Sequence, residues 1–146
     1  MENKAISKSD HIVQFFETLT PQSVERFEEI YTEDARFKDP FNEVQGLPEI
    51  SRIFRHMYVA LLEPRFVITQ RVEQDENLML TWDFHFRFAK FSPGQLQTIR
   101  GASHLQLAAD GRIAVHRDYW DAAEELYEKL PLVSVLMRWL KKRANT

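Results

Sequence analysis

The chain has 146 residues, of which 44% are hydrophobic and 28% are charged, and its formal net charge is −3. That length predicts one domain with a sizeable core, and the small net charge excludes a protein that binds polyanions through bulk electrostatics. The lack of cysteine excludes a disulfide framework and a thiolate metal site.

The opening stretch MENKAISKSDHIVQFF has no apolar segment followed by a small-residue cleavage site, so it does not read as a signal peptide. No apolar run approaches the roughly 20 residues that a membrane-spanning helix needs. We therefore expect a soluble, cytoplasmic protein.

The first part of the chain is predicted to be helical. SKSDHIVQFFETL offers serine or aspartate as a cap, followed by apolar residues at helical spacing. TPQSVERFEEIY restarts with Thr20 as the cap and Pro21 at the first helical position. A short strand, ARFKDP, comes next. After Gly46, LPEISRIFRHMYVALL predicts a third helix, which Pro64 ends.

From Arg65 the hydrophobic period changes to two, which predicts β-strands. Four strands follow, separated by DEN, SPGQ and ADGR: RFVITQRVEQ, LMLTWDFHFRF, LQTIRGASHLQLA and IAVHRDYW. In the second strand, one face is formed by Leu78, Leu80, Trp82, Phe84, Phe86 and Phe88. Its other face is formed by Met79, Thr81, Asp83, His85 and Arg87. Helices followed by an antiparallel meander predict an α+β fold.

The last segment, DAAEELYEKLPLVSVLMRWLKKR, is predicted to be helical, with Asp121 and Glu124 in capping-box positions and an interruption at Pro131. Its apolar stripe consists of Leu132, Val133, Leu136, Met137 and Leu140, and its basic end of Arg138, Lys141, Lys142 and Arg143. Two interpretations stay open. The helix packs on the sheet or covers a cavity mouth, or it binds a membrane surface or a partner.

The stretch ARFKDPFNEVQG places a carboxylate, Asp39, two residues after Phe37 and directly before Pro40. Proline cannot donate to a strand ladder and favours an extended residue before it, so Asp39 is expected at a strand end. Its side chain would share the face of Phe37. Either Asp39 caps the turn that follows, or it works inside a pocket.

The order of these elements resembles one known superfamily, which includes nuclear transport factor 2, ketosteroid isomerase and the SnoaL-like polyketide cyclases. The resemblance is carried by YTEDARFKDPF, LAADGRI and HRDYWD within residues 10–121 of a single domain, 1–146, and leaves 122–143 as a helical extension. It implies a cone-shaped α+β fold. A strongly curved antiparallel sheet would wrap around the N-terminal helices and enclose a pocket.

Within this resemblance, Asp39 looks like the aspartate that transfers the proton in ketosteroid isomerase. That enzyme holds the enolate oxygen with a tyrosine and a protonated aspartic acid, and Phe15 and Ser103 stand at those two positions here. Losing one oxyanion donor costs roughly 3–4 kcal/mol. The resemblance therefore implies an activity other than standard steroid isomerisation.

The same resemblance orients the last strand. It places Ala114, His116, Asp118 and Trp120 toward the pocket, and Ile113, Val115, Arg117 and Tyr119 on the far side. The expected catalytic residues are Asp39, His116 and Asp118. The expected ligand-binding residues are Phe15, Phe37, Tyr58, Trp82, Phe84, Phe86, Ser103, Leu105 and Trp120. Few polar groups on an apolar wall are typical of a small-molecule site.

Two of these polar positions have competing interpretations. His116 and Asp118 are two apart on one strand, so their Cα atoms are expected roughly 6.5–7 Å apart. They either share a hydrogen bond that fixes the imidazole tautomer, or form a solvated pair at a sheet edge. Ser103 is either a hydroxyl donor or a small residue that the strand tolerates.

Other patterns exclude several classes of site. No His-x-His or His-x-x-x-His spacing occurs, so no metal site is expected. There is no glycine-rich phosphate loop and no nucleophile elbow, and basic and aromatic residues do not interleave as in a nucleic-acid platform. No cofactor is predicted.

Two hypotheses for function follow. In the first, a homodimeric protein binds a small apolar, oxygen-bearing molecule and catalyses isomerisation, cyclisation, hydration or dehydration, with Asp39 as base and His116, oriented by Asp118, as acid. In the second, a non-catalytic module uses the outer sheet face or the basic C-terminal helix to bind a partner. That outer face, where dimerisation is expected, carries Asp83, His85, Arg87, Arg100, His104 and Gln106.

Overall fold

The structure, a computed structural model, describes residues 7–126 and 131–144, with side chains for 7–126 and 138–144. Helix α1 spans Lys8–Glu17, and Ser7 caps it as predicted, because its hydroxyl accepts the Asp10 N–H while the Asp10 carboxylate accepts the Ser7 N–H. Helix α2 spans Leu47–Ala60.

The second predicted helix is a 3₁₀ helix, Pro21–Glu29, and not an α-helix. It begins as predicted, with the Thr20 hydroxyl accepting the Ser23 N–H. Arg26 interrupts it with non-helical dihedral angles, φ −116° and ψ 22°. The interruption divides the segment into two short 3₁₀ pieces, as expected because 3₁₀ geometry seldom persists over many residues.

The sheet has six strands in the order β2-β1-β6-β5-β4-β3. Their bounds are β1 Tyr31–Lys38, β2 Glu43–Gln45, β3 Leu61–Gln74, β4 Asn77–Phe88, β5 Gln97–Leu107 and β6 Ile113–Tyr119. The sheet is curved and unclosed, and α1 and α2 contact strands of it, which confirms the predicted α+β fold. The sequence did not predict β2. Nor did it predict that β1 pairs with β6 in parallel, whereas the other pairs are antiparallel.

Pro64 does not end the third helix, which already stops at Ala60; it lies inside β3. The register of β3 on β4 shifts between Leu62 and Arg65, and Glu63 between them has a positive φ of 51°. Because a bulge takes residues out of the ladder, the strand accommodates a proline that has no N–H to donate.

The two faces of β4 are as predicted: Leu78, Leu80, Trp82, Phe84 and Phe86 are buried, and the residues between them are half-buried or exposed. In β6 the predicted orientation of Ile113 is wrong, because this side chain is fully buried in the core. Gln106 pairs with Val115 and Leu107 with Ile113, so Ala114 is an extra residue. This bulge reverses the alternation, and Ile113 faces inward together with His116.

The C-terminal segment consists of α3, Ala122–Glu125, and α4, Pro131–Ala144. Asp121 caps α3 by accepting the Glu124 N–H at 3.1 Å. The side chains of Leu132, Val133, Leu136 and Met137, from the predicted apolar stripe, lie outside the described residues. Within the described ranges, none of the helices combines the length and apolar character required to cross a membrane.

Candidate functional site

A cavity of about 320 Å³ opens between the concave face of the sheet and α2. Its walls are mainly aromatic: Phe37, Phe41, Phe54, Phe66, Trp82, Phe84, Phe86, Phe88 and Trp120. Aliphatic side chains complete the apolar part: Ile53, Met57, Ala60, Leu61, Ile99 and Leu126. Four polar residues lie among them: Asp39, Asn42, His56 and Asp118. This composition and size are typical of a site for a small molecule.

A second void of about 20 Å³ lies deeper in the cone, lined in part by Ser103, Leu105 and His116. Four residues line both spaces and so lie between the cavity and this inner void: Phe54, Phe66, Trp82 and Asp118. A void needs roughly 10–15 Å³ to hold one water molecule, so the inner void is large enough for one.

Five side chains form a hydrogen-bonded chain at the narrow end of the cavity. The Trp82 indole N–H donates to Ser103 Oγ at 2.9 Å, and the Ser103 hydroxyl donates to Asp118 Oδ1 at 2.5 Å. His116 Nε2 lies 2.6 Å from the same Oδ1. His116 Nδ1 lies 2.6 Å from the hydroxyl of Tyr31. We call these residues the polar chain.

The direction of each hydrogen bond follows from the carboxylate of Asp118. A carboxylate only accepts, so His116 Nε2 carries a proton and donates to it. In the tautomer that carries its single proton on Nε2, the other nitrogen accepts the Tyr31 hydroxyl proton. Burial, and secondly the Asp118 charge, raise the pKa of Tyr31 well above its usual value, which keeps the hydroxyl protonated. Every donor in the polar chain therefore points toward Asp118.

Sheet register brings the polar chain together. Ser103 on β5 is the direct partner of Asp118 on β6, and Phe37 on β1 is the partner of His116. Because β1 runs parallel to β6, Tyr31 at its start comes within reach of the imidazole from the strand side opposite to β5.

Gly101 makes room for the indole of Trp82, its direct partner across β4 and β5. A Cβ atom on Gly101 would lie 2.5 Å from the nearest ring carbon of Trp82. Without a side chain there, the ring lies flat across β5 and its N–H reaches Ser103. This glycine is required for close approach and not for an unusual φ.

Asp39 lies at the mouth of the cavity and caps a turn. Its Oδ1 accepts the backbone N–H groups of Phe41 at 2.8 Å and Asn42 at 2.6 Å. The Asn42 side-chain amide donates to Oδ1 at 3.1 Å and to Oδ2 at 3.2 Å. The two interpretations of Asp39 are thus compatible in space, since the residue holds the turn and also lines the cavity.

The structure brings most of the predicted site residues together. Seven line the cavity: Phe37, Asp39, Trp82, Phe84, Phe86, Asp118 and Trp120. Ser103, Leu105 and His116 line the inner void. His116 and Asp118 share a hydrogen bond, and His116 is buried, so they do not form a solvated edge pair.

Two predicted ligand-binding residues line neither space. Phe15 is buried against Phe27, with their ring centroids 5.9 Å apart, because α1 turns this side chain into the core. Tyr58 lies on α2 with its hydroxyl buried and without a hydrogen-bond partner among the described residues. Burial raises the pKa of Tyr58 to about 12.

Sequence reasoning missed Tyr31, whose hydroxyl contacts His116. Tyr31 ends the segment TPQSVERFEEIY, which the sequence predicts as a helix, whereas the structure places it, fully buried, at the start of β1. A buried tyrosine usually finds a partner for its hydroxyl. That the partner is His116 could not be predicted from the sequence, because the contact depends on the parallel pairing of β1 with β6.

Among the described residues, no cluster of three or more histidine, aspartate or glutamate side chains is arranged to hold a metal ion.

Solved structures of similar fold support the architecture. An NTF2-like protein of unknown function from Burkholderia pseudomallei matches with a TM-score of 0.70 at 16% identity, covering 80% of this chain and 92% of that one. A putative SnoaL-like polyketide cyclase from a Jannaschia species matches with a TM-score of 0.69 at 15% identity, covering 85% and 93%. An epoxide hydrolase of the LEH-like type from M. tuberculosis matches with a TM-score of 0.68 at 14% identity, covering 92% of each chain. At these identities the likeness shows the fold alone.

A comparison with proteins of curated function finds no match. The family model described as a SnoaL-like domain matches residues 12–116, which is more than half of the chain. This range includes Tyr31, Asp39, Ser103 and His116. The chain therefore belongs to the SnoaL-like domain family.

Proposed function

We propose that the cavity binds a small, largely apolar, oxygen-bearing molecule, and that Asp118 removes a proton from it. The observation that carries this proposal is the convergence of the polar chain on one oxygen, Asp118 Oδ1. Asp118 Oδ2 accepts no hydrogen bond from the described residues, and Asp118 lines the cavity. A carboxylate oxygen that faces an apolar cavity is well placed to act as a general base.

The polar chain favours a base over an oxyanion-binding site. The Ser103 hydroxyl and His116 Nε2–H both donate to Asp118, and the Trp82 N–H donates to Ser103. These groups are therefore not free to stabilise a developing oxyanion, which needs donors directed at it. Proton abstraction that spreads charge over an apolar, aromatic substrate fits this site better than enolate chemistry.

His116 acts in this proposal as a positioning residue. Its two ring nitrogens are engaged by Tyr31 and Asp118, so the imidazole orients the carboxylate without contacting the substrate. Asp39, the base expected from the resemblance, holds the turn at the mouth through four hydrogen bonds. We assign the base to Asp118 and a structural role to Asp39.

A general probe for a carboxylate base in an apolar cavity tests the assignment. In 5-nitrobenzisoxazole, removal of the ring C–H proton by Asp118 breaks the N–O bond and releases a coloured cyanonitrophenolate, so turnover is read by absorbance. We expect Asp118→Asn to lower the rate at least about a hundredfold, in the range of general-base catalysis. Asp39→Asn is the matched control and should keep the rate, because asparagine retains the Oδ1 acceptor of the turn.

Unchanged turnover in Asp118→Asn, with the native circular dichroism spectrum, would remove Asp118 from the mechanism. A large loss of turnover in Asp39→Asn alone would indicate that Asp39, and not Asp118, is the base. Native mass spectrometry of the freshly purified protein complements the probe, because a co-purified molecule that Trp82→Ala releases would identify the natural ligand class.

A second candidate function rests on α4. Trp139 and Leu140 are 50% and 44% exposed and lie beside Arg138, Lys141 and Lys142. Exposed aromatic and aliphatic side chains next to basic ones suit binding to an anionic membrane surface. Sedimentation with phosphatidylserine vesicles should then fall in a Trp139→Ser variant, and equal sedimentation of the two proteins would end this candidate.

Homodimerisation through the outer sheet face is also part of the proposal. Met79 and Tyr119 are exposed there, at 38% and 48%. Sedimentation velocity of the full chain and of Met79→Glu measures it, with a dimer expected for the first and a monomer for the second.

A further inference from the structure

We infer that the molecule bound in the cavity is an organic cation, with an alkylated or protonated ammonium group placed beside Asp118. The inference rests on the proposed function, because it names the substrate class of the same cavity. Three independent features support it: the charge of the lining, its aromatic composition and the direction of the polar chain.

The charge of the lining is negative. Two carboxylates, Asp39 and Asp118, face the cavity, and neither lysine nor arginine occurs among the described residues that line it. The side chain of Asp118 is only 16% exposed. A buried carboxylate is costly unless a charge partner or several donors compensate it, so an apolar cation in this space would gain a strong interaction.

Two cationic side chains lie next to the cavity mouth, on the outer face. Lys38 and Arg117 line a shallow depression next to the mouth, which shares Asp39, Asp118 and Trp120 with the cavity. The Arg117 guanidinium lies over the ring of Tyr119, with 4.7 Å between its central carbon and the ring centroid. Alternation along β6 places Arg117 and Tyr119 opposite to His116 and Asp118, so this guanidinium does not extend into the cavity.

The walls provide aromatic faces for a cation. Nine aromatic side chains line the cavity, among them Trp82 and Trp120, and Trp120 contacts Phe41 edge to face at a centroid distance of 5.6 Å. Ammonium groups bind to aromatic faces through the ring quadrupole, and several rings around one site form the cage that proteins use for quaternary ammonium ligands. A carboxylate at the base of such a cage adds charge recognition.

The polar chain makes the narrow end an acceptor and not a donor. Of the groups that could donate to an anionic or carbonyl ligand, Ser103, His116 and Trp82 already donate within the polar chain, and the Asn42 amide donates to Asp39. Among the described residues that line the cavity, this leaves the exposed His56. A carboxylate ligand would meet two like charges and no free donor in the polar chain. A cation would instead meet the carboxylate of Asp118, whose Oδ2 accepts no hydrogen bond from the described residues.

Two probes of equal shape test the inference. Choline and 3,3-dimethylbutan-1-ol differ only in the replacement of the charged nitrogen by carbon, and binding of each to the full chain is measured by NMR titration. We expect choline to bind about tenfold more tightly, as cation–π and carboxylate contacts together imply. Asp118→Asn should reduce this preference to about twofold or less, since the carboxylate is then neutral.

Trp120→Leu provides a second variant that leaves the polar chain intact. It should lower the affinity for choline severalfold more than the affinity for the neutral alcohol, because leucine keeps an apolar contact with both probes and offers no ring face to the cation. This variant keeps the inference testable if Asp118→Asn fails to fold.

Each outcome separates the inference from the proposed function. Equal affinities for the two probes, or no binding of either, would overturn the inference, whereas turnover of 5-nitrobenzisoxazole that depends on Asp118 would still support the base. Selective choline binding without any such turnover would support the inference and overturn the catalytic part of the proposed function.

Discussion

Two carboxylates line the same cavity and are held in different ways. Asp118 receives its hydrogen bonds from Ser103 and His116, and through His116 it is linked to Tyr31 on another strand. Asp39 receives all of its hydrogen bonds from Phe41 and Asn42, which follow it within three residues. Asp118 therefore depends on sheet register, and Asp39 on a local turn.

This difference predicts where stability and function are linked. Changes in the polar chain leave buried polar groups without partners, and the cost of this is large. Changes at the mouth expose the same kinds of groups to water, which replaces the lost partners. The narrow end should thus be sensitive to single substitutions and the mouth tolerant of them.

The largest effect is expected for His116→Ala. The change leaves the Tyr31 hydroxyl without a partner, removes one of the two donors to Asp118 Oδ1 and opens a space in the core. We therefore expect the free energy of unfolding to fall by about 3–5 kcal/mol. Urea denaturation measures it. Arg117→Ala, the exposed neighbour on the outer face, is the control and should stay within about 0.5 kcal/mol of the unsubstituted chain. Equal losses for the two variants would contradict a stabilising polar chain.

The next largest effect is expected for Gly101→Ala. The added methyl group would lie 2.5 Å from the Trp82 ring, which must move away from Ser103. Overpacking of this kind costs about 2–3 kcal/mol in the free energy of unfolding. Gly94→Ala is the matched control, since nothing lies within 4 Å of its Cβ position. A shift of tryptophan fluorescence in Gly101→Ala alone would confirm that the indole has moved.

The local features of the molecule could be predicted from its sequence. Ser7 and Thr20 cap helices through residues three positions ahead, and the buried face of β4 follows from its strict alternation. The interpretation of Asp39 as a cap of the following turn could also be reached from the sequence, because its partners Phe41 and Asn42 are neighbours in sequence.

The features that depend on register could not be predicted from periodicity. Periodicity alone favours Ile113 facing inward, and the resemblance implies the same for His116. Both face inward only because Ala114 is an extra residue, and nothing in IAVHRDYW signals that bulge. The parallel pairing of β1 with β6 brings Tyr31 to His116 across 85 positions of sequence. The resemblance predicted that His116 and Asp118 face inward, whereas their hydrogen bonds depend on how β1 and β5 pair with β6.

A smaller effect is expected for Tyr31→Phe, which removes one hydroxyl from the polar chain and leaves His116 Nδ1 without its donor. We expect a loss of about 1–2 kcal/mol near neutral pH, the cost of one unsatisfied buried acceptor. Tyr119→Phe, at a position that is 48% exposed, should change the stability little.

The effect of Tyr31→Phe should also depend on pH. Burial, and then the charge of Asp118, raise the pKa of Tyr31 in the folded state, whereas the unfolded state releases this proton near pH 10. The folded state binds the proton more strongly, so stability falls as the pH rises above about 10. The Tyr31→Phe variant lacks this part of the decline in stability. The difference in the free energy of unfolding between the unsubstituted chain and the variant should therefore narrow above that pH. A constant gap from pH 7 to 11 would contradict burial of a protonated Tyr31.

The smallest loss in the free energy of unfolding is expected for Asp39→Ala. This variant tests whether the carboxylate at the cavity mouth contributes less to stability than the polar chain does. The change removes the acceptor for the Phe41 and Asn42 N–H groups, but both lie where water reaches them, so the loss should be about 1 kcal/mol or less. A double-mutant cycle with Asn42→Ala measures how much of this comes from the side-chain amide. If Asp39→Ala cost as much as His116→Ala, the mouth would be as tightly coupled to the core as the narrow end. Because the partners of Asp39 are all local, we expect the cycle to find its coupling within the turn and none between Asp39 and His116.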